Sequence, residues 1–399
     1  MIAQVFELKN LLAAEQEMKF VHSDPAGIRL MASKAIHRVI KLKGIRPPAA
    51  NIIKQEMLSF GGEAATAYGS INHSVSATDI LILGTLKQLQ QLMQKLKQHQ
   101  FGLPRLAEEM VEALNNYDAT PKAIKIGKRM FGFGKRTYIM GVLNITPDSF
   151  SDGGKHLKLE QAVEQAKRLW EEGADIIDVG GESTRPGARP ISVQEEKKRV
   201  LPVIERLTRD NKYLISIDTT KAEVAEAALS SGAQMVNDIS GLHFDPRLAK
   251  IVAKFKVPLC IMHIKGKPRK MQENPVYSDL MSEIINYLAE GLEIAKKNGI
   301  LPEKIMIDPG IGFGKTLDHN LEILRHLQTL KGLGRPIMIG TSRKSFIGKT
   351  LGLPVEERGA GTAASVAIAI MNGADFIRVH DVRQMARVAK MTDAIIRKG

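Results

Sequence analysis

Short apolar runs alternate with longer amphipathic stretches from Thr137 to the C-terminus of the chain. The runs are rich in Ile, Val, Leu and Met, as parallel strands buried on both faces require. The stretches between them carry apolar residues at helical spacing and often stop at glycine. Eight such pairs within residues 137–399 favour a closed (β/α)8 TIM barrel over an open sheet. The eight runs are YIMGVLN, ADIIDVG, YLISIDT, AQMVNDI, VPLCIMHI, KIMIDPG, PIMIGTS and ADFIRVHD.

The first third of the chain has a different pattern. Apolar residues at helical spacing cover residues 25–42 and 47–62. One strand-like run, DILILGT at residues 79–85, leads into a Lys/Gln-rich helical stretch at residues 86–100. Helices and a strand outside the barrel pattern predict a smaller N-terminal α/β domain.

The hydrophobic periodicity stops near residues 115–124, and this break marks the boundary between the two predicted domains. We therefore expect an accessory domain of unassigned role at residues 1–118 and a barrel domain at residues 119–399. The break predicts a linker, followed by a hairpin under the barrel. Gly61 and Gly62 are compatible with a ligand loop, but a helix C-terminus is the favoured interpretation.

The net charge of +14 is compatible with a nucleic acid, a membrane surface or an anionic small substrate. The excess is spread along the chain, since residues 1–134 carry +6 and the remainder carries +8. Only 5% of the residues are aromatic, so there are few side chains on which bases stack. An anionic small substrate is therefore favoured over a nucleic acid.

Targeting signals and cysteines limit the location and the chemistry. The first 20 residues lack a basic start followed by an apolar run, and no stretch reaches the roughly 18 apolar residues of a spanning helix. We therefore expect a cytoplasmic enzyme with no membrane partner. The single cysteine, Cys260, excludes disulfides and thiolate metal sites within one chain and is expected in the core.

Polar side chains stand at the end of each of the eight apolar runs. One Asp or Asn at such a position is usually a helix cap or turn former, but eight ends together are harder to explain in that way. In a barrel the carboxyl ends of all strands meet at one mouth, where residues distant in sequence surround one ligand. These polar residues are Asn144, Asp178, Asp218, Asn237, Asp238, His263, Asp308, Ser342, Arg343, Lys344, Arg378 and His380.

The glycine-rich segment DPGIGFGKT suggests a nucleotide site, but its spacing excludes a Walker loop. That loop needs glycine five residues before the Gly-Lys-Thr glycine, where Pro309 stands. The same test at SFIGKT finds Arg343. The glycines of the first segment are therefore expected to shape a turn around Phe313.

The candidate residues at the mouth are of two kinds. Carboxylates and an amide suit a flat heterocycle with several N–H groups, whereas cationic side chains suit anions. Together they favour a polar ring joined to a phosphate ester that reacts near Lys344. The first kind comprises Asp218, Asn237 and Asp308, and the second comprises Arg185, Arg343, Lys344, Arg378 and His380.

Eight motifs occur in a fixed order along the barrel portion. They are GVLNITPDSFSDGG, GGESTRPGA, SIDTTK, VNDISG, IMHIKGKP, DPGIGFGK, GTSRKSFIG and RVHDV. With these motifs the chain, from about Lys125 to its end, resembles dihydropteroate synthase, a folate-pathway enzyme with a (β/α)8 barrel and a target of sulfonamides. Enzymes of that family transfer the methylene of 6-hydroxymethyl-7,8-dihydropterin pyrophosphate to the amine of para-aminobenzoate, giving 7,8-dihydropteroate and pyrophosphate.

The resemblance also implies roles for individual residues. Asp218, Asn237 and Asp308 would hold the pterin edge, and Met262 would lie against a ring face. Lys344 would donate hydrogen bonds to the pterin carbonyl and a ring nitrogen.

The resemblance also implies residues for the diphosphate and the aminobenzoate. Asn144 would bind Mg2+ on the diphosphate, and Arg378 and His380 would hold the anion with help from Arg185. The expected catalytic residues are Asn144, Lys344, Arg378 and His380. Thr184, Pro186, Phe313 and Ser345 would frame the aminobenzoate, with Arg343 as a further substrate-binding residue.

The chemistry implied by the resemblance needs no strong general base. Because an arylamine is a poor nucleophile, we expect pyrophosphate to leave first and the electron-rich dihydropterin to delocalise the cation. The loops after the first two barrel strands would close over the diphosphate and exclude water. In those loops Glu182 is a candidate loop anchor, whereas Asp148 and Asp152 fit a contact to metal or cation as well as a turn.

Two alternatives belong to other functional classes. A pterin-dependent methyltransferase has nearly the same fold and passes a methyl group to a corrinoid, but it needs no aminobenzoate pocket, so STRPGA and SRKS favour the synthase. A non-catalytic protein that binds a pterin or a nucleic acid would show binding without turnover. Barrels of the resembled family usually pair through outer helices, which implies a homodimer.

Overall fold

The chain divides between Asp118 and Ala119 into two compact units. No helix among the residues that can be placed is long and apolar enough to cross a membrane. The computed structural model describes residues 2–72, 74–145, 155–185 and 187–397.

The N-terminal unit is a small α/β fold, as predicted. Its three strands form an antiparallel sheet in the order β1-β3-β2, and α3, α4 and α5 share one hydrophobic core with that sheet. The elements are α1 (Leu11–Phe20), α2 (Pro25–Met31), β1 (His37–Ile45), α3 (Pro47–Ser59), β2 (Glu63–Thr66), β3 (Thr78–Thr85), α4 (Leu86–Leu96) and α5 (Leu103–Asp118).

Two expectations for this unit were wrong in part. The helix predicted through residue 42 ends at Met31, and β1 follows. In β1, Ile40 and Leu42 pack toward the core while Val39 is exposed, which is the period of two that a strand requires. The linker predicted from residue 115 is still helical at its start, because α5 continues to Asp118.

The end of α3 follows the favoured prediction. Gly61 has a φ of 74°, a left-handed conformation that suits glycine. The N–H of Gly62 donates to the carbonyl of Met57 at 3.1 Å, which caps a helix C-terminus.

The second unit is the predicted (β/α)8 barrel. Eight parallel strands run in the order β11-β10-β9-β8-β7-β6-β13-β12, and a parallel bridge between Ile307 and Ile337 joins the two ends of that order. The elements are β4 (Ile124–Ile126), β5 (Arg129–Phe131), β6 (Tyr138–Asn144), α6 (Lys155–Glu171), β7 (Ile176–Gly180), α7 (Val193–Thr208), β8 (Ile215–Asp218), α8 (Ala222–Ser230), β9 (Met235–Asp238), α9 (Arg247–Phe255), β10 (Leu259–Met262), α10 (Leu280–Lys297), β11 (Ile305–Asp308), α11 (Leu317–Arg325), β12 (Met338–Ile339), α12 (Ser345–Leu351), α13 (Gly359–Met371), β13 (Phe376–Val379) and α14 (Val382–Ile396).

The predicted hairpin, β4 with β5, closes the amino-terminal end of the barrel. The ring of Phe131 lies 4.8 Å from that of Tyr138 and 5.8 Å from that of Phe376, at the first residues of β6 and β13. Cys260 is buried in the same cluster, as expected, and burial raises the pKa of its thiol. The opposite end, where the strands finish, is therefore the end that is left for a ligand.

Candidate active site

Side chains from four barrel strands form one hydrogen-bonded network at the carboxyl ends of the strands. Arg378, on β13, donates from Nε to Oδ2 of Asp178 at 2.7 Å and from Nη2 to Oδ2 of Asp218 at 2.7 Å. Asn237, on β9, donates from Nδ2 to the same oxygen of Asp178 at 2.9 Å. The predicted gathering of distant strand ends is thus present for these residues, which are separated by up to 200 positions.

Asp178 is the centre of this network, although no role had been predicted for it. Its side chain is fully buried and its Oδ2 accepts from both Arg378 and Asn237. A buried carboxylate with two charged or polar donors fixes their orientation. The signal in the sequence was an aspartate in the middle of an otherwise apolar strand, IIDVG.

Lys344 adjoins the network from the segment that precedes α12. Its Nζ donates to the carbonyl of Ile311 and lies 4.8 Å from the centre of the Phe313 ring. A Cβ at Gly340 would lie 3.7 Å from Cβ of Arg378 and 3.8 Å from Nζ of Lys344. Gly340 therefore leaves open the space between the two cations.

The charged groups of the mouth have strongly shifted proton affinities. Burial raises the pKa of Asp218 to about 7, against the opposing effect of Arg378. Burial lowers the pKa of Lys344 to about 8, although Asp308 acts in the other direction. Burial also raises the pKa of Asp308, while Lys344 and the N–H of Gly310 oppose the rise. Such shifts are typical of groups that are held ready for a ligand.

An apolar wall faces this polar network. Met262 is buried and packs in a cluster with Ile239, Ile264 and Met271, with Phe313 against it. Apolar and aromatic side chains beside a few placed polar groups are typical of small-molecule sites. This apolar surface is suited to pack against the face of a flat ring.

His380 and Arg343, two residues predicted to bind an anion, have partners of their own at the end of the sheet. The ring Nδ1 of His380 lies 3.0 Å from Oγ of Ser342, and burial lowers the pKa of His380 to about 4, with Arg378 contributing. The guanidinium of Arg343 donates to Asp381, from Nε at 2.9 Å and from Nη2. The structure therefore shows Arg343 held by a carboxylate.

The remaining predicted residues lie at different depths. A Cβ at Gly180 would lie 3.6 Å from both Oδ1 of Asn144 and Oδ2 of Asp218, so these two oxygens face the same small space. Thr184 is half-buried, whereas Arg185 and Ser345 are exposed. The predictions for Pro186, Asp148 and Asp152 concern residues outside those that the structure describes.

Lys315 is a further buried lysine that sequence reasoning did not select, and burial lowers the pKa of its amine well below the usual value. Its Nζ lies 2.8 Å from Nδ1 of His263 and donates to the carbonyl of Phe313 at 3.0 Å. Burial lowers the pKa of His263 to about 2, and Lys315 contributes to the fall. His263 is thus a neutral, hydrogen-bonded ring, in keeping with a supporting role.

Within the described residues, no group of three or more His, Cys, Asp or Glu side chains is arranged to hold a metal ion. Asp238, beside Asn237, instead accepts hydrogen bonds from Ser240 N, Ser240 Oγ and Leu242 N at 2.8, 2.7 and 2.6 Å. Its carboxylate is used in shaping the turn after β9.

Comparison with known proteins agrees with this geometry. Residues 140–380 match the family described as pterin binding enzyme. The dihydropteroate synthase of Clostridium beijerinckii is 52% identical over 276 residues, which are 69% of this chain and 100% of that protein. A crystal structure of dihydropteroate synthase from Clostridium difficile, determined in the presence of pteroic acid, has a TM-score of 0.64 and 48% identity, covering 67% of this chain and 100% of that chain.

One relative also extends over the N-terminal unit. A probable bifunctional folylpolyglutamate synthase/dihydropteroate synthase of Halobacterium salinarum is 38% identical over 391 residues. The match covers 97% of this chain and 46% of that protein. The N-terminal unit is therefore shared with at least one other protein that carries the barrel.

Proposed function

We propose that this chain, which belongs to the pterin binding enzyme family, is a dihydropteroate synthase, a transferase of folate biosynthesis. It would condense 6-hydroxymethyl-7,8-dihydropterin pyrophosphate with para-aminobenzoate to give 7,8-dihydropteroate and pyrophosphate. The observation that carries the proposal is the single network of Asp178, Asp218, Asn237 and Arg378 at the barrel mouth, with Lys344 beside it. This network places hydrogen-bond acceptors that suit a heterocycle next to cationic side chains that suit an anion.

The pterin would lie between the acceptors and the apolar wall. The carboxylates of Asp218 and Asp308 accept ring and amino N–H groups. Because Nδ2 of Asn237 donates to Asp178, its carbonyl oxygen is turned to accept from the ligand. Buried acceptors discriminate strongly against rings that lack the matching N–H groups, since an unmade hydrogen bond costs about 1–3 kcal/mol. Met262 would cover one ring face.

Lys344 would donate to the pterin carbonyl and a ring nitrogen. With a pKa of about 8 it is mainly charged at neutral pH. The Phe313 ring at 4.8 Å supports the ammonium through its π face. The same ring would border the aminobenzoate, together with Thr184, Pro186, Arg343 and Ser345.

The diphosphate would leave toward the cationic end of the mouth. The bond between the pterin methylene and the diphosphate oxygen breaks, the electron pair departs with the diphosphate, and the dihydropterin delocalises the cation. The aminobenzoate amine then attacks the methylene and loses a proton to solvent. Arg378, His380 and Arg185 would stabilise the departing charge.

His380 is prepared for this role by its contact with Ser342. Oγ of Ser342 accepts the backbone N–H of His380 at 3.2 Å and lies 3.0 Å from ring Nδ1. We assign the tautomer in which the serine O–H donates to Nδ1 and the neutral imidazole carries its proton on Nε2. That N–H is the donor that we assign to the anion.

We assign Mg2+ to the amide oxygen of Asn144 together with the diphosphate oxygens. Mg2+ is usually bound by one or two protein oxygens, several waters and substrate phosphates, so an amide oxygen beside the diphosphate fits this ion. The oxygen of Asn144 also faces the same space as that of Asp218. When bound, Mg2+ would neutralise negative charge on the leaving group.

A homodimer is part of the proposal. Exposed apolar side chains lie along the two outer helices α13 and α14, including Ile368 and Met371 on the first and Met391 and Ile395 on the second. Exposed apolar side chains on neighbouring helices are typical of an interface between subunits. Sedimentation of the full chain should give twice the mass of one chain, and we expect the dimer to act in the cytoplasm.

The activity is tested by incubating the full chain with both substrates and Mg2+. Release of pyrophosphate that depends on para-aminobenzoate, with dihydropteroate detected by mass, is the expected result. Methyl transfer from methyltetrahydrofolate to a corrinoid would instead support the methyltransferase alternative. Pterin binding without any turnover would support the non-catalytic alternative.

A further inference from the structure

Lys221, three residues after Asp218, lies between two glutamates. Its Nζ donates to Oε2 of Glu182 at 2.9 Å, to Oε2 of Glu196 at 2.6 Å and to the carbonyl of Ile191 at 2.9 Å. All three hydrogens of the ammonium are thus used. Burial disfavours the charge, but hydrogen bonds to Glu196 and Glu182 outweigh it and raise the pKa of Lys221.

The three acceptors belong to the two ends of one segment and to the helix that follows it. Glu182 begins the segment after β7, and Ile191 ends it before α7. Oε1 of Glu182 also accepts the N–H of Ile191 at 3.0 Å. Glu196 lies in the first turn of α7, and its side chain is only 1% exposed. The ammonium therefore ties both ends of residues 182–191 to the start of α7.

The base of this segment is held against α7 by a second set of contacts. Nη1 of Arg199 donates to the carbonyl of Gly181 at 3.0 Å. A Cβ at Gly181 would lie 2.8 Å from Val200 and 3.1 Å from Glu196, so only glycine allows this approach. The backbone at the start of the segment is therefore held against α7.

Lys221 is also connected to the pterin side of the mouth. Its backbone N–H donates to Oγ1 of Thr219 at 3.2 Å, and the N–H of Thr219 donates to the carbonyl of Asn237 at 3.1 Å. These two bonds link Lys221 to a residue that we assign to the pterin. The same lysine therefore joins the pterin side of the mouth to the segment that carries Thr184 and Arg185.

We propose that Lys221 is a positioning residue that fixes residues 182–191, so that Thr184 and Arg185 stand at the aminobenzoate and diphosphate end of the mouth. The inference rests on the proposed function. Lys221 itself touches neither substrate, and its effect is transmitted through Glu182 and Ile191. Its loss should therefore weaken the use of para-aminobenzoate more than the use of the pterin substrate.

The physical reason lies in the two carboxylates. Without the ammonium, Glu182 and Glu196 become like charges that share one site, with Glu196 buried. The more exposed partner, Glu182, is then expected to turn outward and release the N–H of Ile191. The segment would lose the bond between its two ends.

The test compares Lys221→Met with Glu182→Ala, which removes the loop contact but keeps the buried pair of Lys221 and Glu196. Lys221→Arg is the conservative variant, and Lys254→Met is the control, because Lys254 forms an exposed ion pair with Glu226 at 2.7 Å on the outer helices. KM for each substrate, kcat and the hydrogen exchange rate of the Ile191 amide are measured in the full chain.

We expect KM for para-aminobenzoate to rise about tenfold in Lys221→Met and Glu182→Ala, equivalent to about 1.4 kcal/mol. KM for the pterin substrate should rise less, because Arg378 and His380 still hold its diphosphate when Arg185 is displaced. Exchange at Ile191 should be faster, and Lys221→Arg should restore part of the loss. An equal rise of both KM values, or unchanged exchange at Ile191 in Lys221→Met, would overturn the inference. If the unaltered chain shows no turnover, the proposed function fails, and the exchange rates alone still decide whether Lys221 holds the segment.

Discussion

Nη2 of Arg378 and Oδ2 of Asp218 are 2.7 Å apart, although 160 positions separate the two residues. The contact links the side chain that we assign to the anion with one that we assign to the pterin. Asp178 accepts a hydrogen bond from Nε of the same guanidinium. Recognition of the ring and recognition of the leaving group are therefore expected to depend on each other.

Asp178 gives the most direct test of this dependence. Asp178→Asn removes the charge that orients Arg378 and Asn237 and places an amide where a shared acceptor stood. We expect kcat/KM to fall by the equivalent of about 2–5 kcal/mol, the usual cost of breaking a buried charged hydrogen bond. Steady-state kinetics measures the change. Glu226→Gln, in an exposed ion pair, is the matched control, and an equal effect in both variants would contradict the assignment.

Lys344→Ala should abolish most turnover even at saturating substrates. The loss should be about 100-fold or more, as for removal of one preorganised donor at a reacting centre. Lys349→Ala is the control, because Lys349 is exposed on the adjoining helix, α12. Retained kcat in Lys344→Ala would refute the role.

The pH dependence should follow Asp218 and Lys344. Asp218 accepts N–H groups as a carboxylate, so kcat/KM for the pterin substrate should fall as pH drops below about 7. Lys344 donates as an ammonium, so kcat/KM should fall again above about 8. Asp218→Asn should remove the acidic limb, and Lys344→Arg should move the alkaline limb upward. A pH profile that neither substitution alters would be inconsistent with both roles.

Gly310→Ala tests the turn that supports Asp308. Gly310 has a φ of 70°, and a Cβ there would lie 1.9 Å from the carbonyl oxygen of His263. Its N–H also donates to Oδ1 of Asp308 at 2.7 Å. Gly352 has a φ of 69° and open space around its Cβ position, so Gly352→Ala isolates the backbone term of about 1–2 kcal/mol.

We expect Gly310→Ala to lower the free energy of unfolding by more than Gly352→Ala does, and to weaken pterin binding as well. Urea unfolding and calorimetric titration with a pterin measure the two effects. Equal costs in the two variants, with pterin affinity unchanged, would show that the close approach to His263 is unimportant.

Asn144→Ala tests the metal assignment. We expect a large fall in rate and a changed dependence on Mg2+, because the only protein oxygen that we assign to the ion is lost. The rate of turnover, measured over a range of Mg2+ concentrations, tests both effects. Asn298→Ala is the control, since Asn298 caps α10 through a bond to the carbonyl of Ile294. An unchanged Mg2+ titration in Asn144→Ala would argue against the ligand.

The barrel was readable from the sequence because its signal is repeated. Buried parallel strands are apolar throughout, and each predicted run contains the observed strand. The N-terminal unit was harder, since the polar Arg38 stands at a half-buried position of β1 and the apolar Val39 stands at an exposed position, which weakens the apolar alternation. The pairing of β1 with β3 decides the conformation, and that pairing is not a local property.

The sequence predicted those residues of the site that stand at the ends of strands. Asp218, Asn237 and Arg378 meet because they end neighbouring or facing strands. The roles of Asp178, Lys315 and Lys221 depend instead on partners from separate segments, which no spacing rule encodes. Glu182 was expected to anchor its loop, and the structure identifies Lys221 as the cation that it holds.

The hairpin that plugs the barrel affects how the barrel would be isolated. Ile124 and Ile126 lie in the same buried cluster as Phe131, Tyr138 and Phe376. A truncation immediately before Lys125 would remove Ile124, cut through this hairpin and expose the aromatic residues at the base of the barrel. A barrel fragment that starts at Ala119 keeps the β4–β5 hairpin whole and is the better choice for expression.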